Sequence, residues 1–149
     1  MKPTETVDYN IKAAWHAIQR MYNAEAAKHN STIAVGFVLL NIDVQLGTPA
    51  TKIAPMIGLE TRSLTRMLKN LEDNGIIYRA NDQYDKRLVR IFLTEKGKEK
   101  REAARDTVLK FNHRIRERIS EEKLSIFFEV MNEILLSTGN GKNEFAWND

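Results

Sequence analysis

The chain contains no cysteine. That removes disulfide staples, thiolate metal ligation and cysteine-based redox sensing together, and it suits a reducing cytoplasm, the compartment expected for it. No apolar run approaches the roughly 18–20 residues that a bilayer span needs. The longest, Ile33–Leu40, is interrupted by Gly36 and followed by Asn41 and Asp43, so no membrane partner is expected. The opening MKPTETVDYN lacks an apolar h-region and does not read as a secretory signal. There is no Gly-rich phosphate loop, no G-x-S-x-G and no HExxH, which leaves an enzyme without a motif. The histidines are His16, His29 and His113. None forms an H-x₃-H pair, and His16 with His113 is a weak metal-site candidate, so neither a metal nor a cofactor is predicted.

What is present is an ordinary globular composition. The chain has 149 residues, 42% of them hydrophobic, with a net charge of +3. One compact module is expected. Nucleic acid is a permitted partner of so mildly basic a chain, and the question becomes whether the positive charge gathers on one element.

Hydrophobic periodicity supplies the elements. Ile11, Ala14, Trp15, Ile18 and Tyr22 recur at helical spacing and predict a first helix over about 6–28. His29-Asn30-Ser31-Thr32 breaks it and offers an N-cap to a second helix predicted over Ile33–Leu46, apolar on nearly all sides. Gly47-Thr48-Pro49 reads as its terminating turn. Ala50–Gly58 reads as a short helix with Ile53, Ala54 and Ile57 inward. Pro55 leaves two starts open: near Thr51, where its ring would cost a hydrogen bond, or one turn later, where it is harmless.

After the turn Gly58-Leu59-Glu60, the segment Thr61–Asn74 places Leu64, Met67, Leu68 and Leu71 inward and Arg62, Ser63, Thr65, Arg66 and Lys69 outward. Gly75 follows as a C′ residue. Two short helices joined by a tight turn form a helix-turn-helix pattern. Ile76–Ala80 and Leu88–Thr94 read as two strands, with Val89, Ile91 and Leu93 on one face, joined by the polar stretch 81–87 into a hairpin with a charged tip. Thr94 caps a long charged helix running to about Ile119, with Glu95 in its favoured first turn. Ser120–Lys123 opens a last helix striped by Leu124, Phe127, Phe128, Met131, Ile134 and Leu135. A polar tail from Ser137 carries Phe145 and Trp147, aromatic side chains suited to docking on the fold.

At this point the sequence resembles a known family. Leu71-Glu72 followed by Gly75-Ile76-Ile77 is similar to the LExxGhh end of the MarR recognition helix. Asp85-Lys86-Arg87 followed by Val89, Ile91, Leu93, Thr94 and Gly97 resembles the MarR wing pattern DxRxxxhxLTxxG. Pro55 and Glu60 depart from it. The resemblance implies a mainly α fold with a small β-wing. A winged helix-turn-helix DNA-binding lobe would span about 32–96, helical dimerisation segments about 6–28 and 97–137, and a tail 138–149, all in one module spanning 1–149. It also implies a homodimer, a ligand-responsive repressor of transcription, and a role for Asp85 in orienting a wing arginine.

The residue chemistry is compatible with this. Thr61, Arg62, Ser63, Thr65 and Arg66 occupy the half of a recognition helix that meets base edges, Arg pairing bidentately with guanine. Thr51 joins the DNA-binding set from the preceding helix. Lys69, Lys86 and Arg90 suit phosphates, and Arg87 at a hairpin tip suits a narrow minor groove. The alternative for any of them is a solvated charge on a helix face. Trp15, His16, Arg20 and His113, with Tyr22 and Arg114 nearby, form a candidate pocket for a small anionic aromatic effector. Their competing reading is a dimer core with solvated charges. The last helix packs either against a second subunit or back on the lobe. For the chain as a whole, a winged-helix protein-interaction module without DNA binding is the alternative to a double-stranded DNA regulator.

Overall fold

The computed structural model describes residues 1–139; Phe145 and Trp147 lie outside the described residues. After a short 3-10 turn at Pro3–Glu5, the elements run α1 (Val7–Ala27), α2 (Ile33–Leu40), β1 (Thr48–Pro49), α3 (Ala50–Ile57), α4 (Thr61–Asp73), β2 (Ile77–Asn81), β3 (Val89–Leu93), α5 (Glu95–Arg118) and α6 (Glu121–Ser137). The chain is mainly α with a small antiparallel sheet, and the strand order is β1-β3-β2.

α1 stops because Asn30 takes a left-handed φ of 50°, a conformation Asn tolerates better than most residues. Ser31 N–H then returns to the Ala26 carbonyl at 3.0 Å. Thr32 caps α2 by accepting from Val35 N–H at 3.3 Å, and Asn23 on α1 accepts from Ile33 N–H at 3.0 Å, tying the two helices at their junction. Gly36 lets α2 cross α5 closely, its would-be Cβ lying 3.5 Å from Ala104 Cβ.

Two sequence expectations are corrected here. α2 ends at Leu40, not Leu46. Asp43 is the reason: its Oδ1 accepts from Gln45 N–H at 2.8 Å and Leu46 N–H at 2.7 Å, a local turn that competes with helix. Ile42 is fully buried in this turn, so an apolar pattern continued where the helix did not. Thr48–Pro49 is a third strand, pairing Thr48 with Ile91 and Pro49 with Arg90. At two residues it is too short to show alternation, and Pro is tolerated because β1 is an edge.

α3 begins at Ala50 with Pro55 inside it, which settles the open choice of start in favour of the earlier one. The core joins Val38, Leu39 and Ile42 to Ile53 of α3, Leu64, Leu68 and Leu71 of α4, and Ile76, Ile77, Ile91 and Leu93 of the sheet region. Val89 departs from the expected face and stays 38% exposed. The register Ile77↔Leu93 through Asn81↔Val89 sets a hairpin whose tip spans residues 82–88.

The junction into α5 is closely built. Thr94 Oγ1 donates to the Gly75 and Ile76 carbonyls and accepts from Gly97 N–H at 3.1 Å, capping the helix. α6 turns away from α5 at Ile119, where Arg116 pairs with Glu121 at 2.5 Å. Within this chain only Leu124 of α6 is buried, and Ile126, Phe127, Phe128, Val130 and Leu136 are each at least half exposed. Beyond Leu124, α6 makes only sparse contact with the other described elements.

Candidate nucleic-acid interface

The turn between α3 and α4 aims the second helix. Gly58 ends α3 in a left-handed conformation, φ 65°, the backbone state that glycine reaches without a Cβ penalty. Glu60 then starts α4 from an extended backbone and makes no side-chain cap, although its carbonyl accepts from Leu64 N–H at 3.0 Å. The first-turn N–H groups of α4 are therefore free of a capping side chain, and their positive dipole end attracts anions.

The leucines at 64, 68 and 71 hold α4 on the core, which leaves Arg62, Ser63, Thr65, Arg66 and Lys69 exposed. Among the described residues, Arg62 and Arg66 make no ion pair and no hydrogen bond, so both guanidiniums present all their donors outward. Thr65 donates its hydroxyl proton to the Thr61 carbonyl at 2.9 Å, which leaves its methyl and an acceptor lone pair for the outside. Lys69 meets Asp73 at 3.4 Å with both side chains over 60% exposed, a pairing weak enough to yield to a phosphate. Thr51, Thr61 and Thr65 line one groove between α3 and α4, and Arg79 of β2 lines it with them. Arg79 donates to Glu72 at 3.1 Å. No sequence signal marked it, because the groove is made by tertiary packing.

At the wing tip, Arg87 is 90% exposed along its side chain. Its Nε and Nη2 donate to the two Asp85 oxygens at 3.1 and 3.3 Å, and its N–H to Oδ1 at 3.0 Å. These bonds hold the Asp85 carboxyl below its ordinary pKa. Lys86 is exposed beside it. Arg90 departs from the phosphate-contact expectation. Its Nε donates to Asp82, and its Nη1 donates to the Leu46 and Gly47 carbonyls at 3.3 Å each. Asp82 is almost fully buried, and the Arg90 guanidinium with two backbone N–H groups pushes its carboxyl down to about 2. Sequence alone places Asp82 in a polar turn and carries no signal of this burial.

The expected effector residues are not brought together. Trp15 stacks on Phe37, with ring centroids 6.1 Å apart and planes 14° from parallel. His16 and Arg20 lie on the exposed side of α1. His113 lines an adjoining cleft with Glu25, Lys110 and Arg114. The apolar cleft instead lies between α1, α2 and α5, walled by Tyr22, Phe37, Leu40 and Val108 with His29 and Lys100 at its polar side. Lys100 donates to the His29 carbonyl at 2.8 Å, and burial pushes the Tyr22 phenol up. The cleft's volume is about 50 Å³, against the ~150 Å³ of an apolar cavity that admits benzene. An aromatic guest has to open it. Among the described residues no group of three or more His, Asp or Glu gathers as a metal would need.

Residues 32–89 match the model of the MarR family. Over 90 residues the chain is 38% identical to the HTH-type transcriptional regulator TtmR of Methylorubrum extorquens strain PA1, a stretch that is 60% of this chain and 46% of the relative. The chain is similar to the MarR family over the segment from the start of α2 to the start of β3. It spans about half the length of that curated relative.

Among solved structures, the transcriptional repressor CouR bound to a 23-mer DNA duplex is 25% identical, with a TM-score of 0.74 over 88% of this chain and 93% of that one. CouR from Rhodococcus jostii RHA1 bound to p-coumaroyl-CoA superposes with a TM-score of 0.80 at 19% identity, covering 90% of this chain and 94% of the other. At that identity the likeness is one of fold. The MarR-type wing pattern also acquires a physical meaning in this chain. Thr94 fastens the end of β3 to the start of β2, and Gly97 is glycine because the Ile76 carbonyl lies against it.

Proposed function

We propose that the chain is a sequence-specific, double-stranded DNA-binding regulator of transcription that acts as a homodimeric repressor in the cytoplasm. The observation that carries this is the exposed Arg62 and Arg66, without an ion pair among the described residues, on the first turns of a core-anchored helix whose N-cap makes no side-chain bond. Such a helix presents bidentate donors to guanine edges and N–H groups to phosphate. Arg87, held by Asp85, extends the contact to an adjacent minor groove, while Thr51, Thr61, Ser63, Thr65, Lys69 and Lys86 supply phosphate or edge contacts. The apolar faces left open on α1 and α6 support a two-fold dimer, and two-fold symmetry places the recognition helices on pseudo-palindromic half-sites about one turn, roughly 34 Å, apart.

A small anionic aromatic molecule is the effector class that the α1–α2–α5 cleft supports. Aromatic and aliphatic walls would take the ring, and Lys100 the anion. Because the guest must widen the cleft, its binding would move α1 and α2 relative to α5 and so change the spacing of the two recognition helices.

Selection of bound duplexes from a random-sequence pool tests the DNA reading. Enrichment of a pseudo-palindrome that survives moderate salt is expected. No enrichment over the input pool would overturn it in favour of a protein-interaction module.

A further inference from the structure

Arg90 is the one basic wing residue that does not face outward, and its bonds run between two parts of the chain that are distant in sequence. On one side its Nη1 donates to the Leu46 and Gly47 carbonyls, in the loop between α2 and β1. On the other its Nε donates to Asp82 Oδ2, at the point where the wing leaves β2. The second oxygen of Asp82 accepts from Tyr84 N–H at 2.8 Å and Asp85 N–H at 2.9 Å, so it shapes the tip. Asp85 then holds Arg87. A continuous set of charge-assisted bonds leads from the α2–β1 loop to the arginine at the wing's end.

Apolar packing gives the tip little support. Tyr84, the large side chain that could have pegged it down, is 93% exposed, and Leu88 and Val89 are each more than a third exposed. The tip is otherwise closed by Asp82 N–H to Leu88 O at 2.8 Å and Leu88 N–H to Asp85 O at 2.9 Å. An arginine as exposed as Arg87 loses rotamer entropy when DNA immobilises it. Fixing its base in advance lowers that cost.

We infer that Arg90 and Asp82 are positioning residues for the DNA contact: they hang the wing tip from the α2–β1 loop and so hold Arg87 where the minor groove meets it. This rests on the wing contact proposed above. It is distinct from a direct Arg90–phosphate contact, and the two make opposite predictions for Asp82. If Asp82 mattered only through its charge, Asp82→Asn would bind DNA more tightly, because a repelling carboxylate is gone. As the anchor, Asp82 is required, and Asp82→Asn binds more weakly despite the favourable change in charge.

The test uses the full chain and a labelled duplex recovered by the wild-type protein from a random pool, titrated by fluorescence anisotropy across a range of salt. Arg90→Gln, Asp82→Asn, Arg87→Ala and the double variants Arg90→Gln/Arg87→Ala and Asp82→Asn/Arg87→Ala are compared, with thermal melting to establish that each is folded. Arg90→Gln and Asp82→Asn should each weaken binding about tenfold, the scale of one lost arginine contact. On the Arg87→Ala background both should add almost nothing, since they act through Arg87. Additive losses, or tighter binding by Asp82→Asn, overturn the inference. If Asp82→Asn does not fold, Arg90→Gln and its double variant decide. If Arg87→Ala binds like wild type, the wing contact itself falls. A loss in Arg87→Ala with none in Arg90→Gln removes the anchor alone.

Discussion

A Cβ placed on Gly97 would lie 2.0 Å from the carbonyl oxygen of Ile76. The first turn of α5 rests directly on the backbone that begins β2, and Leu93 Cδ2 closes the same space at 3.3 Å. A flexible side chain could move aside, but a backbone oxygen that also accepts from Thr94 N–H and Thr94 Oγ1 cannot do so cheaply. Gly97→Ala should therefore destabilise the lobe by about 1–3 kcal/mol, the usual cost of overpacking. Part of that is offset by alanine's better helix propensity. Thermal denaturation reads it as a fall of several degrees, and a melting temperature equal to wild type would show that the helix start is not seated as described.

The recognition helix makes a separate prediction. Arg62 and Arg66 are one turn apart, exposed, and spend no hydrogen bond within the described residues. Replacing either by Ala should leave stability within about 0.5 kcal/mol. Loss of a base contact should cost about 1–3 kcal/mol of operator affinity and relax the preference at one operator position. Comparing duplexes selected by each variant with those selected by wild type gives the position. Unaltered affinity in both variants would remove this face of α4 from the interface.

The buried Asp82 carboxyl, lowered from an ordinary 3.8 to about 2, links the wing to pH. The folded state holds the ionised form more tightly than the unfolded chain does. Its stabilising contribution is thus complete above the unfolded value and is lost as pH falls through the folded one. Between pH 8 and 5 the melting-temperature difference between wild type and Asp82→Asn should stay constant. From about pH 4 down to about 2 it should shrink, as the wild-type carboxyl takes up the proton that the Asn variant never carried. A difference that changes across neutral pH would assign the effect to another group.

Much of this was legible in the sequence, and the reasons differ by element. α4 is read from Leu64, Leu68 and Leu71 because a helix that buries one stripe must show that stripe at its own period. Thr94 and Ser120 are read as caps because a short hydroxyl side chain has a geometric use at a helix start, and both accept the expected N–H. Most of what failed to show was non-local, and the end of α2 is the local exception. The end of α2 is decided by Asp43 turning on itself against an apolar run that continues to Ile42. β1 exists only because β3 is beside it. Asp82 and Arg90 are eight residues apart within a polar stretch and look solvated until the sheet brings them together with the α2–β1 loop. The candidate effector residues show the same limit. Trp15, His16 and Arg20 share a helix, but the orientation of α1 against α2 and α5 turns Tyr22 inward and leaves His16 and Arg20 outside.

The proposed subunit contact supplies the last prediction. Phe127 and Phe128 meet edge to face at 5.5 Å, yet each is about half exposed, and Ile126 and Val130 beside them are equally open. Contiguous apolar surface on this scale marks a place where something is buried. In a two-fold dimer each substitution acts twice. Burying the exposed half of a Phe is worth roughly 1 kcal/mol, so Phe127→Ser should weaken the dimer by about 2 kcal/mol, roughly thirtyfold in Kd. Its circular dichroism should change little, while its melting should lose the dependence on protein concentration that dimerisation gives. Sedimentation should show the monomer at concentrations where wild type is dimeric. Because a pseudo-palindrome is read by two helices held at a fixed separation, binding to the selected duplex should fall with dimerisation and recover as protein concentration is raised. A Phe127→Ser chain that sediments with wild type would mean that this face of α6 is not where two subunits join.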